Sequence, residues 1–176
     1  MTFETTPLAG PVVIGMERFT DDRGFFGYTF DAAAFAGRGL PSVIVQSNVS
    51  FNNIAGTLRG MHFQRDPSAQ PKLVRCTRGR IFDVVVDVRP GSPTERKWFG
   101  IELSAETQKA LFIPAGFAHG FQTRVDQTEV LYEMFTPYAP ASAAGVRFDD
   151  PAFGIEWPMQ VTSISDRDRT YADYGR

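Results

Sequence analysis

The stretch IFDVVVDV, residues 81–88, sets the fold class. Its β-branched residues suit a pleated strand. At a period of two, Phe82, Val84, Val86 and Val88 share one face, and Ile81, Asp83, Val85 and Asp87 share the other. Asp83 therefore stands between apolar neighbours. An unpaired carboxylate is costly in a core, so an inward-facing Asp83 needs a partner.

Similar runs recur on both sides of this one. They are VVIGMERF (12–19), FFGYTF (25–30), SVIVQSNVS (42–50), KLVRC (72–76), KALFIP (109–114), QTRV (122–125) and EVLYEMF (129–135). Gly, Pro, Asn and Asp turns separate them, which predicts many short strands. Helical signal is weak. DAAAFAGRG at 31–39 predicts one or two turns, with Asp31 as the cap and Gly37 or Gly39 as the stop, and a further turn is expected near 104–108. There is no repeat, low-complexity tract or linker. The chain reads as a single all-β domain over 1–176, a sandwich or barrel with short peripheral helices.

Composition narrows the function. The 176 residues are 43% hydrophobic and 22% charged, as in a soluble globular domain. A net charge of −2 offers no basic surface for nucleic acid. No apolar run reaches the length of a membrane span. The start, MTFETTPLAGPVVIGM, carries Glu4 and two prolines and lacks the pattern of a signal peptide. The one cysteine, Cys76, cannot form an internal disulfide and fits a reducing compartment, so the cytoplasm is the expected location.

The chain has two histidines, His62 in LRGMHFQ (58–64) and His119 in PAGFAHGF (114–121). Each could be structural, but imidazole is the side chain best suited to proton transfer near neutrality. Arg59 and Lys72 lie close to His62 in sequence. They could bind phosphate or stabilise an oxyanion, or serve as solvated surface cations. A His-x-His metal pair is absent, because Gly60 and Gln64 occupy the positions two before and two after His62. Two histidines and one cysteine are a thin ligand supply, and no metal is expected. Neither a Gly-rich phosphate loop nor a serine nucleophile elbow is present.

Several long blocks, in order along nearly the whole chain, closely resemble the dTDP-4-dehydrorhamnose 3,5-epimerase family of the cupin superfamily. They are DDRGFF (21–26), QSNVS (46–50), TLRGMHFQ (57–64), QPKLVRCTRGRIFDVVVDVRPGSPT (70–94), IPAGFAHGF (113–121), RFDDPAFGIEWP (147–158) and SDRD (165–168). The resemblance implies a cupin-type double-stranded β-helix, that is, a jelly-roll barrel. It also implies a homodimer, a nucleoside-diphosphate sugar as substrate, and proton transfer without metal or cofactor.

Residue roles follow from the same resemblance. His62 matches the base and Asp168 the carboxylate that orients it. Tyr132 matches the acid on the opposite face, and Lys72 the cation that stabilises an enolate. Arg59 is expected on the sugar or diphosphate. Arg23, contributed across the dimer, and Phe26 are expected at the nucleotide, with Gln46 and Asn48 as a polar pair near it. Tyr138 matches the aromatic that packs on the base. His119 matches a second pocket histidine, with Asp83 as its partner. Arg167 stands where the family usually has lysine, Tyr28 and Ala143 where glutamate is common, and Phe135–Pro137 depart from the usual form. These changes surround the substrate and leave the proton-transfer set intact. Two other readings share the barrel: a sugar ketoisomerase and a non-catalytic nucleotide-sugar binder. Product analysis separates the first, and binding without proton exchange the second.

Overall fold

The computed structural model describes residues 1–175. Two sheets face each other. The six-stranded sheet runs, in spatial order, β1 (Thr2–Thr5), β2 (Val12–Gly15), β10 (Ala110–Ile113), β7 (Lys72–Arg78), β12 (Thr128–Met134) and β5 (Gln46–Asn52). The five-stranded sheet runs β13 (Ala143–Gly145), β6 (Leu58–Gln64), β11 (Phe117–Thr123), β8 (Arg80–Asp87) and β9 (Trp98–Ser104). A hairpin of β3 (Phe19–Asp21) and β4 (Gly24–Phe26) stands apart. All pairings between these strands are antiparallel, and the architecture is the jelly-roll barrel of the cupins.

The period-two reading of 81–88 explains how the layers meet. Ile81 and Val85 point between the sheets, where they join Val74, Cys76, Leu111, Ile113, Phe117, Phe121 and Val130 in the central core. Val84, Val86 and Val88 point the other way and pack with Met61, Ala118, Val146 and Phe153 under the C-terminal segment. Burial on both faces accounts for the nearly unbroken apolar run. Asp87 is fully buried at the strand end. It accepts hydrogen bonds from Arg89, Ser92 and Thr94 and so fixes the 89–94 turn.

A short helix, α1 (Ala32–Ala36), forms where expected. Asp31 caps it by accepting from the Ala34 amide at 2.9 Å, and Gly37 follows the last turn. Its Phe35 is wholly buried against Leu73 and Phe112 on the outer face of the six-stranded sheet. A second helix, α2 (Asp166–Arg169), is capped by Ser165.

Some strand boundaries differ from the sequence reading. The run at 42–50 pairs only from Gln46 onward, and Val43 and Val45 are exposed. The strand expected at 12–19 ends at Gly15, and of QTRV only Gln122 and Thr123 are strand, as the tail of β11. Strands β1, β6, β9 and β13 have no counterpart in the list read from sequence. In β6, Arg59, Gly60 and His62 break the apolar alternation. Gly60 is needed there: its φ is +139°, and a Cβ would lie 2.5 Å from the Gly120 Cα on β11.

Candidate active site

The same inner faces that build the core become polar toward one mouth of the barrel. On β7, Lys72 continues the inward row of Cys76 and Val74. On β12, Tyr132 continues that of Val130. From the other sheet, β6 supplies His62 and β11 supplies His119, which are register partners. A cavity of about 330 Å³ lies between them. Asn48, Arg59, His62, Lys72, His119, Tyr132, Tyr138 and Arg167 all line it.

His62 is partly open to the cavity, with 41% of its side chain exposed. Its Nε2 lies 2.7 Å from Asp168 Oδ1. Asp168 is buried behind it, and its Oδ2 accepts from the Gly60 amide at 3.0 Å. Burial disfavours the Asp168 carboxylate. The hydrogen bond and charge of His62, the Gly60 amide and Ser165 outweigh burial and hold its pKa below the ordinary value. Asp168 belongs to α2, and the Ser165 hydroxyl receives its backbone amide at 3.1 Å. A capped turn thus aims a carboxylate at a histidine far away in sequence.

The second pair lies deeper. His119 Nε2 is 2.8 Å from Asp83 Oδ1, and both side chains are shut off from solvent. This is the partner that the apolar surroundings of Asp83 demanded. The β8–β11 register sets Asp83 opposite Phe121 and Val85 opposite His119, so Asp83 and His119 are diagonal neighbours on the inner face. Burial pushes His119 below its usual pKa, and Asp83 only partly opposes this. The imidazole is therefore neutral at neutral pH.

Lys72 and Tyr132 feel the same low-dielectric surroundings. Burial lowers Lys72 from 10.5 to about 8, against the attraction of Asp83. Burial drives the Tyr132 phenol well above its usual range, helped by Asp83 and opposed by Arg59. The Tyr132 ring packs edge-on to His119, with centroids 6.0 Å apart. The mouth thus presents an imidazole paired to a carboxylate on one sheet. On the other it presents a protonated phenol and an ammonium. Such a set can remove a proton, return one, and hold negative charge on an oxygen between them.

Other expected residues border the cavity. Gln46 donates to Asn48 Oδ1 at 2.9 Å, and its Oε1 receives the Tyr138 amide at 3.4 Å. The Arg59 guanidinium is braced by Asn52 at 2.7 Å. Arg23 and Phe26 are not brought to the cavity within one chain. They sit on the β3–β4 hairpin, with Arg23 paired to Asp21 and 89% of its side chain exposed. Ala143, one of the departures, lies in the wall, and Tyr28 is exposed beside Phe26.

Gln64 and Gln70 are among the lining residues missed in the sequence. Gln64 donates to the Ser68 carbonyl at 2.7 Å and receives the Ala139 amide at 2.7 Å, while Gln70 donates to the Thr136 carbonyl at 2.6 Å. Together they tie down the segment that carries Tyr138. Gln64 was findable, because period two places it on the same face of β6 as His62. Among the described residues, no group of three or more His, Cys, Asp or Glu is placed to hold a metal ion. Nor is any helix there long and apolar enough to cross a membrane.

Comparison with known proteins gives the family. The family model described as dTDP-4-dehydrorhamnose 3,5-epimerase matches residues 5–174. The dTDP-4-dehydrorhamnose 3,5-epimerase of Sinorhizobium fredii is 45% identical over 164 residues, 93% of this chain and 84% of that protein. The crystal structure of the Bacillus anthracis dTDP-4-dehydrorhamnose 3,5-epimerase, with TDP and pyrophosphate bound, superposes with a TM-score of 0.94 at 38% identity, covering 98% of each chain. ChmJ, a 3′-monoepimerase from Streptomyces bikiniensis solved with dTDP-quinovose, superposes with a TM-score of 0.90 at 32% identity, over 96% of this chain and 86% of that one. This chain, an isomerase with the cupin jelly-roll fold, belongs to the dTDP-4-dehydrorhamnose 3,5-epimerase family.

Proposed function

We propose that this chain, working as one domain, inverts C3, C5 or both of a nucleoside-diphosphate 4-keto-6-deoxyhexose, with His62 as base and Tyr132 as acid. The observation that carries the assignment is that His62 and Tyr132 come from opposite sheets yet line one cavity, with Lys72 in the same wall.

The proton balance is simple. His62 takes the proton from a carbon beside the C4 ketone. The electron pair moves into the ring to make an enolate, with its charge on the C4 oxygen, where the Lys72 ammonium meets it. Asp168 fixes the imidazole and offsets the charge it gains. Tyr132 then delivers its proton to the other face of the carbon, and the centre is inverted. Burial keeps the phenol protonated at rest and makes the phenolate a strong base, so it recovers its proton readily once the product has formed. His119 and Asp83 buttress the wall between Lys72 and Tyr132.

The nucleotide lies toward the mouth in this assignment. Arg59 and Arg167 take the diphosphate, Gln46 and Asn48 the polar edge of the base, and Tyr138 its face. Bound TDP in the Bacillus anthracis relative and dTDP-quinovose in ChmJ support a thymidine carrier. Arg23 and Phe26 act at the nucleotide of a second subunit in a homodimer. Their exposure on a projecting hairpin supports this arrangement. Inversion at C5 gives an L-configured deoxysugar and inversion at C3 alone a D-configured one, in either case for polysaccharide or for a glycosylated metabolite, made in the cytoplasm.

The test is a panel of dTDP-, CDP- and UDP-linked 4-keto-6-deoxyglucose in D₂O, with each ring proton followed by NMR. The expected result is deuterium at C3, C5 or both, with inversion at the labelled carbon and fastest with dTDP. Absence of exchange with every sugar overturns the assignment.

A further inference from the structure

The His62 ring is held by one hydrogen bond, to Asp168, and faces an open cavity on its other side. A ring so placed can swing about its Cβ–Cγ bond unless something walls it in. Tyr171, three residues beyond Asp168, supplies that wall. Its ring meets the imidazole edge-on, with centroids 6.2 Å apart and planes at 71°.

Tyr171 is itself seated by a specific absence. Gly145 on β13 is the register partner of His62. A Cβ at Gly145 would lie 2.3 Å from the Tyr171 ring and 2.8 Å from the Met61 carbonyl. The tyrosine therefore occupies the space that a side chain at 145 would take, directly beside the imidazole.

The hydroxyl adds a second observation. It is buried, and its polar neighbour is the Arg167 side chain, which it meets outside ordinary hydrogen-bond geometry. Such a group carries a desolvation cost that a nearby donor would relieve. The Arg167 guanidinium, four residues earlier in the chain, is the donor in reach: its carbon lies 5.8 Å from the Tyr171 ring centre, and it acts on the hydroxyl through its charge and a side-chain contact. The same guanidinium lines the cavity together with Tyr138. Burial raises the Tyr171 pKa while the Arg167 charge lowers it, so the two groups sense each other.

We propose that Tyr171 is a positioning residue: its ring keeps His62 seated on Asp168, and its hydroxyl steadies Arg167 at the cavity mouth. This rests on the roles assigned above to His62 and Arg167. One short segment then carries the carboxylate that pairs with the base, the wall that stops it swinging, and the cation for the substrate's anionic end.

The two parts of the side chain are separable by Tyr171→Ala and Tyr171→Phe. Loss of the ring should lower kcat by about tenfold or more, since small misplacements of a reacting group are costly. Tyr171→Phe restores the wall and should recover most of kcat. It should leave KM raised by about tenfold, the effect of losing a polar contact with a charged group. The chain has only two histidines, so imidazole NMR reports His62 without any substrate. The His62 signals should move in Tyr171→Ala and return in Tyr171→Phe. Unmoved His62 signals with a wild-type kcat in Tyr171→Ala overturn the role of the ring. A wild-type KM in Tyr171→Phe overturns the role of the hydroxyl. Equal losses of kcat in both variants, with no change in KM, mean that the tail is merely loosened and overturn both. The substrate-free readout keeps this test apart from the functional assignment, whose failure shows as no exchange by the wild-type enzyme.

Discussion

Replacing Lys72 by methionine should make the protein more stable and nearly inactive. The two residues have similar volume, so packing is conserved. Burial drops the lysine pKa from 10.5 to about 8. That difference corresponds to ~3 kcal/mol against holding the ammonium inside, at about 1.4 kcal/mol per pH unit. The unfolded chain binds this proton more tightly than the folded one. The penalty is therefore full below pH 8 and fades as pH rises toward 10.5, so the wild type gains stability across that window. Methionine removes the penalty at neutral pH. Asp83 then loses the attraction of Lys72, which takes back part of the gain. The melting temperature should rise by several degrees, at about 2–4 °C per kcal/mol for a chain of this size. Catalysis should fall by about 10²–10³ in kcat, as for the loss of one oxyanion donor. In the wild type, kcat should decline as pH passes about 8 and the ammonium loses its proton. Calorimetry and NMR-detected deuterium exchange, run on both proteins across this pH range, read all three effects. A variant that melts below the wild type refutes the energetic argument. A variant with wild-type exchange, or a wild-type rate that stays flat to pH 10, refutes the catalytic one.

Three further outcomes follow from the same geometry. Tyr132→Phe should still let His62 remove and return a proton on one face, so deuterium enters the ring with the original configuration and little inversion; NMR distinguishes the two epimers. Asp168→Asn should lower kcat by about 10–100-fold with KM nearly unchanged, the effect of losing a charge-assisted bond to the imidazole, as steady-state kinetics will show. Asp87 is held well below the ordinary carboxylate pKa; burial opposes this, but Arg89, Ser92 and Thr94 outweigh it. Its contribution is present above pH about 4 and lost as pH falls further, so Asp87→Asn should flatten the acid side of the urea stability profile.

How much was legible in the sequence depends on the kind of information. Alternation along a strand was legible. It located β8 and most of β7, β10 and β12, and it marked Asp83 as an inward acid in need of a partner. Alternation does not say which strands are neighbours, so it could not by itself select His119. The resemblance made that match, and the diagonal contact across β8 and β11 accounts for it. β6 was missed as a strand because its alternate positions serve the cavity rather than the core. Pairing of His62 with Asp168 spans 106 residues, beyond the reach of any local pattern. Gln70 carried no local mark, because its task is to hold the backbone of a distant loop. Tyr171 gave no signal at all, since its importance comes from an empty place on a glycine in another part of the chain.

The carboxylate for His62 arrives on a terminal strap, α2, that belongs to neither sheet. Segments of this kind open with less free energy than the sheets they rest on. Peeling that strap away would leave the barrel standing with its imidazole unsupported. Mild denaturant should therefore silence the enzyme before circular dichroism registers any loss of strand. Storage lifetime would then be governed by the grip of residues 165–171 rather than by the melting of the core.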